Sequence, residues 1–232
     1  MRIRALGDTH LIISLGERID PQTHDRVLGL WRSLKGLAPG GVLSLVPSYT
    51  DITVHYNPLL VSEKALQSLI FQAEERAHES GSPLSRTFEI PVLYGGEYGP
   101  DLSTLAKEKN LPEESIVKIH TARLYRLYSF GFTPGFMYLG ILDKRIQTKR
   151  LSRPRLEVPR GSVGLAGEQT GIYPKASPGG WRIVGTSPLE FFDLEAEVPT
   201  PFELGDRIRF KAIDERTFYS IKRKQPYEIS VE

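Results

Sequence analysis

Apolar positions recur along this chain with two periods, and the switches between them mark out the elements. Residues 2–6 and 10–15 alternate as two short strands around a Gly7-Asp8 turn. After Asp20-Pro21 the spacing becomes helical, with Val27, Leu30, Trp31 and Leu34 on one stripe. Asp20 is placed to cap the free amides, and Pro21 stands at the first helical position, where its missing N–H costs nothing. Gly36 and the Pro39-Gly40-Gly41 group are expected to end that helix. Strands are predicted at 42–46 and 52–56, around a Pro47-Ser48-Tyr49-Thr50 turn. A second helix over about 62–79 carries Ala65, Leu66, Leu69, Ile70 and Ala73 as its stripe. The order ββαββα predicts an α+β layer with helices on one face of a small sheet.

Residues 80–86 (SGSPLSR) are polar and broken by Gly and Pro, so two domains are expected, 1–82 and 83–232. The second opens with a strand at 88–93. Asp101 is expected to cap a short helix, Pro112 to open another that ends near His120, and a strand follows at 124–130. Beyond it the pattern breaks into short strand-like pieces at 162–166, 182–185, 189–194, 207–212 and 228–231. Many short strands with frequent turns predict a mainly-β barrel or sandwich.

Composition narrows the function classes. A net charge of +2 gives no case for a nucleic-acid partner. The absence of Cys removes disulfides, thiol nucleophiles and thiolate metal sites together. No apolar run approaches the roughly 18 residues of a membrane helix, and the first residues make a poor signal peptide, so a cytoplasmic protein is expected. There is no Gly-x4-Gly-Lys-Ser/Thr phosphate loop, no Gly-x-Gly-x-x-Gly, no His-Glu-x-x-His and no Gly-x-Ser-x-Gly elbow. His10, His24, His55, His78 and His120 are scattered, so no metal site is expected.

Chemistry concentrates between Phe130 and Pro188. Ten of the 21 glycines fall between Gly131 and Gly185, interleaved with Phe136, Tyr138, Tyr173 and Trp181, which predicts a structured, loop-rich pocket wall. From Lys144 to Arg160 there are seven basic residues and one acid, Glu157. Arg presents a planar fork suited to carboxylate or phosphate, so this run reads either as an anion-binding wall or as a solvated positive face. Pro154 and Pro159 hold it extended, which puts Arg153 and Arg155 on one side and Leu156 and Val158 on the other. The segment 161–171 (GSVGLAGEQTG) reads either as backbone that approaches a ligand, with Glu168, Gln169 and Thr170 as polar ends that orient an amide or carboxylate and Ser162 as a further binding candidate, or as a tightly packed strand–turn whose polar residues face water. Glu168 is its one carboxylate and the candidate general base, against the plainer reading of a solvated loop residue. The aromatics are either a ligand enclosure or core. His120 is either a titrating catalytic group or an ordinary helix-terminal residue.

Three blocks, GFTPGFMYLG, RPRLEVPRGSVGLAGEQTGIYP and SPGGWRIVGTSP, resemble the allophanate hydrolase subunit 1 family, in order and at the expected spacing. YGGEYGPDL and VPSYTDITVHYNP are similar to it as well, so the resemblance covers nearly the whole chain. Met137 departs from the Pro that members commonly carry there. The family includes the B-type subunit of 5-oxoprolinase and the Kip-type inhibitor of a sporulation histidine kinase. The resemblance implies a small α+β domain followed by a cyclophilin-like β-barrel. It also implies two partners, a subunit-2-type homologue and a lactam-utilisation-type subunit. The complex would open the lactam 5-oxoproline to glutamate, with ATP used by the assembly and not clearly bound by this chain. The alternatives are a histidine-kinase regulator and an allophanate hydrolase or urea carboxylase-like small-molecule-binding subunit.

Overall fold

A computed structural model of the chain describes residues 1–79 and 85–223, which fall into two compact units, Met1–Leu84 and Ser85–Glu232. Residues 80–84, on which the expected boundary falls, and the expected strand at 228–231 lie outside the described residues.

In the first unit the elements run β1 (Arg2–Ala5), β2 (His10–Ser14), α1 (Pro21–Leu37), β3 (Val42–Pro47), β4 (Asp51–Tyr56) and α2 (Glu63–Glu79). The strands form one antiparallel sheet in the order β1-β2-β4-β3. Alternation sends Leu11, Ile13, Ile52 and Val54 into a core shared with Val27, Leu30 and Leu34 of α1 and Leu66, Ile70 and Ala73 of α2. Asp20 caps α1 through its carboxylate, which accepts from Thr23 N at 2.9 Å. Gly36 does not stop the helix, which continues through Leu37 and closes at Ala38, whose N–H donates to the Leu34 carbonyl.

The second unit opens with β5 (Thr87–Tyr94), α3 (Leu102–Lys109), α4 (Glu113–Thr121), β6 (Leu124–Phe130) and β7 (Met137–Gly140). It continues through β8 (Arg155–Val158), β9 (Ser162–Ala166), β10 (Gln169–Ile172), β11 (Ser177–Gly179), β12 (Arg182–Thr186), β13 (Arg207–Ala212) and α5 (Glu215–Lys222). Seven strands close a barrel in the order β10-β7-β6-β13-β5-β12-β9, while β8 and β11 form a separate two-stranded ribbon. The closed barrel fits the cyclophilin-like expectation. Its interior is filled by Phe88, Ile90, Val92, Tyr125, Leu127, Met137, Leu139, Val163, Leu165, Ile172, Ile208 and Phe210.

Three local expectations are corrected, and one helix was not foreseen. Residues 189–194 are not a strand: Leu189 and Phe191 alternate into the barrel core with no ladder partner, so the period-two pattern records burial alone. Asp101 precedes α3 with no side-chain cap; its carboxylate accepts instead from the Ile183 N–H at 2.6 Å and the Arg155 guanidinium at 2.7 Å. The Arg153/Arg155 against Leu156/Val158 alternation fails, since Leu156 is 93% exposed and Val158 fully buried. The cause is a register shift in the β8–β11 ribbon, where three steps of β8 face two of β11 and the side-chain phase slips. Helix α5, capped by Asp214, has no counterpart in the pattern reading.

Candidate functional site

The outer wall of the barrel at β7, β10 and β9 is floored with glycine. Gly171 lies opposite Tyr138 on β7 and Gly164 on β9. Its neighbours Thr170 and Ile172 point the other way, into the barrel. On the bare floor lie Phe136, Tyr138, Tyr173 and Trp181. Phe136 meets Tyr173 edge-on at 5.0 Å, Trp181 at 5.4 Å and Tyr138 at 4.8 Å between ring centroids. Val158 of the ribbon packs against the same cluster. A Cβ at Gly171 would stand 2.7 Å from the Met137 carbonyl and 3.0 Å from both the Phe136 and Trp181 rings. A backbone carbonyl cannot yield as a flexible side chain does. Gly171→Ala is therefore expected to cost about 1–3 kcal/mol by overpacking, read as a lower urea midpoint at unchanged slope; an unchanged midpoint would show that the rings are loosely seated.

Polar groups gather at one corner of this face. The Tyr173 hydroxyl accepts from the Trp181 backbone N–H, and burial raises the Tyr173 pKa against the opposing effects of Arg150 and Arg155. Tyr138 is half-buried; burial raises its pKa too, and Arg150 again opposes. The Arg150 guanidinium stands over the Trp181 ring at 6.0 Å. Gln169 occupies the same outer phase as Gly171 and is partly exposed. Arg150, Tyr138 and Gln169 are the members of this face that reach solvent, over a buried floor of Phe136, Tyr173 and Trp181.

The residues singled out from sequence separate into groups. Phe136, Tyr138, Tyr173 and Trp181 converge, and Gln169 is on their face. Ser162 is buried at 1% exposure, its carbonyl accepting from Tyr173 N, so it supports the floor from beneath. Thr170 faces the interior, donates to the Gly164 carbonyl at 3.1 Å and accepts from His120 Nε2 at 3.0 Å. Since the hydroxyl's proton is committed to Gly164, Nε2 carries the histidine proton, and Nδ1 accepts from the Tyr94 hydroxyl at 2.7 Å. His120 is fully buried and its pKa is lowered to about 3 by burial, so it is a neutral core residue with both nitrogens occupied, not a group open to substrate.

The basic run is not one wall. Arg145 forks onto Asp143 with two contacts of 3.0 Å, Arg160 pairs with Glu190, Arg155 is bound to Asp101, and Arg153 is exposed. Glu168 sits at the exposed β9–β10 turn. Arg150 was legible only as a member of the run; its distinguishing feature, the approach to Trp181, is set by a fold that brings residues 31 apart together.

The family model of the carboxyltransferase domain, subdomain C and D, matches residues 1–202. This chain belongs to that family. The match agrees with the resemblance to the allophanate hydrolase subunit 1 type. A curated relative, the 5-oxoprolinase B-type subunit of Bacillus subtilis (strain 168), is 37% identical over 233 residues, 96% of this chain and 97% of that protein. Among solved structures, PH0987 of Pyrococcus horikoshii is 42% identical with a TM-score of 0.55, covering 94% of this chain and all of that one. TTHA0988 is 35% identical with a TM-score of 0.78 over 92% of this chain, and this carboxyltransferase-type chain spans 40% of its length.

Proposed function

We propose that the chain serves as the B-type subunit of a 5-oxoprolinase, a hydrolase complex that opens a cyclic amide at the expense of ATP. The observation that carries the reading is the match along 97% of a protein of that name at 37% identity. The outer aromatic face supplies chemistry suited to the substrate. A five-membered lactam is a flat, mostly apolar ring bearing one carboxylate. Tyr138 offers the ring a partly exposed surface backed by the buried Trp181, Arg150 a charge-assisted partner for the carboxylate, and Gln169 a donor and acceptor for the amide. Arg153, Arg155, Ser162, Thr170, His120 and Glu168 are left out of this arrangement by their positions. ATP is assigned to the assembly, because the sequence holds no phosphate loop. A subunit-2-type homologue and a lactam-utilisation-type subunit are its partners in this reading.

The test is ATP-dependent glutamate release by the chain alone and mixed with both partners. Activity is expected only in the mixture, and full activity of the chain alone would refute the subunit role. In the assembled complex Arg150→Ala is expected to raise the KM for the lactam about 10-fold to 100-fold, the equivalent of one charge-assisted hydrogen bond. Arg153→Ala is expected to leave KM within about twofold, and equal effects of the two substitutions would remove Arg150 from the site.

A further inference from the structure

Alongside the aromatic face runs an open groove of about 690 Å³, lined by Glu108, Lys109, Gln147, Lys149, Glu168 and Arg182 among others. Three lining residues are chain neighbours of the face: Lys149 of Arg150, Glu168 of Gln169, and Arg182 of Trp181. The groove carries both signs of charge. Arg182 Nη2 donates to Glu108 at 2.8 Å, while Arg182 Nε is buried with no partner. Lys109, Lys149 and the Glu168 carboxylate form no ion pair among the described residues. Gln147 is anchored by donating to the Leu142 carbonyl at 3.1 Å.

We propose that this groove is a product site that takes an amino dicarboxylate and discriminates against the lactam. The proposal rests on the oxoprolinase reading. Hydrolysis breaks the lactam C–N bond; water adds its oxygen to the acyl carbon and its protons pass to the nitrogen. The ring-opened product therefore carries two carboxylates and an ammonium, where the lactam carries one carboxylate and a neutral N–H. The groove offers the matching set: the Lys109 and Lys149 ammoniums for the two carboxylates and Glu168 for the ammonium, while Arg182 is held by Glu108 in the wall. Phosphate is the poorer fit, since it carries no cation to offset Glu168. Adjacency to the aromatic face gives the product a short path out of the site in which it forms.

Isothermal titration of the full chain with L-glutamate, L-glutamine, 5-oxoproline and inorganic phosphate tests this. Glutamate is expected to saturate one site, with glutamine and phosphate each about 10-fold weaker or more. The Lys109→Ala/Lys149→Ala double variant and Glu168→Gln are each expected to weaken glutamate about 10-fold, with 5-oxoproline affinity unchanged. Circular dichroism confirms that the variants are folded. No glutamate binding, phosphate binding as tight as glutamate, or full glutamate affinity in both variants would overturn the proposal. Loss of 5-oxoproline binding in Arg150→Ala reads the aromatic face separately. A chain that binds glutamate but never 5-oxoproline fails the oxoprolinase reading, and one that binds only 5-oxoproline fails the product site.

Discussion

Asp101→Ala is expected to lower the stability of the second unit by about 3 kcal/mol. Asp101 is 7% exposed, and its two oxygens join three distant pieces of chain: Oδ1 takes the Arg155 guanidinium at the start of the ribbon, and Oδ2 takes the Ile183 N–H on β12. Truncation leaves the Ile183 N–H without its side-chain acceptor and Arg155, already carrying an unpartnered Nη1, without its carboxylate. The Ile183 donor alone accounts for about 1–3 kcal/mol. The ion pair adds less than a fully buried one would, because the Arg155 side chain is 30% exposed. Asp101→Asn retains an acceptor for Ile183 and is expected to recover about half of the loss. Urea unfolding of the wild type, Asp101→Ala, Arg155→Ala and the double variant gives the coupling; strictly additive losses would show that the pair does not act as a unit.

The second large effect is acid lability centred on His120. Burial lowers its pKa from the usual 6.5 to about 3. Between those values the unfolded chain binds a proton that the folded chain refuses, so stability is greatest above pH 6.5 and falls with decreasing pH towards about 3. The slope from this residue alone is about 1.4 kcal/mol per pH unit inside the window. Wild type and His120→Gln, compared by urea unfolding at pH 7, 6, 5 and 4, isolate it from the other histidines. The variant is expected to be less stable at pH 7, having lost the fit to Tyr94 and Thr170, yet to lose less stability on acidification. Parallel pH profiles would show that His120 takes up its proton in the fold.

Much of the first unit could be read from the chain because its signals are local. Asp20-Pro21 starts a helix by satisfying its own neighbours, and the alternation in β2 and β4 is that of a sheet buried on one face. The second unit hid more. Its wall strands are buried on both faces, so β9 reads as SVGLA with no polar phase to reveal which side carries the aromatics. The ribbon's register shift is invisible in the sequence, and it scattered the expected arginine wall. Asp101 looked like a cap because its neighbourhood resembles one; its real partners lie 54 and 82 residues away. The aromatic blocks were legible as a group because glycine punctuates them, but that they lie outside the barrel follows only from strand register, and that His120 of α4 is buried follows from its contacts with Thr170, Tyr94 and Phe210.

The barrel's seam also bears on how the chain is made. Strand β5 begins the second unit, yet its parallel neighbour β13 ends the barrel, with Thr87 opposite Arg207 and Val92 opposite Ala212. Arg86 clasps Asp206 at 2.6 Å beside that seam. During synthesis the apolar segment FEIPVLY must therefore wait for more than a hundred later residues to leave the ribosome before its neighbour arrives. A nascent chain halted before β13 presents an open hydrophobic edge, and protection by chaperones is needed most during that interval.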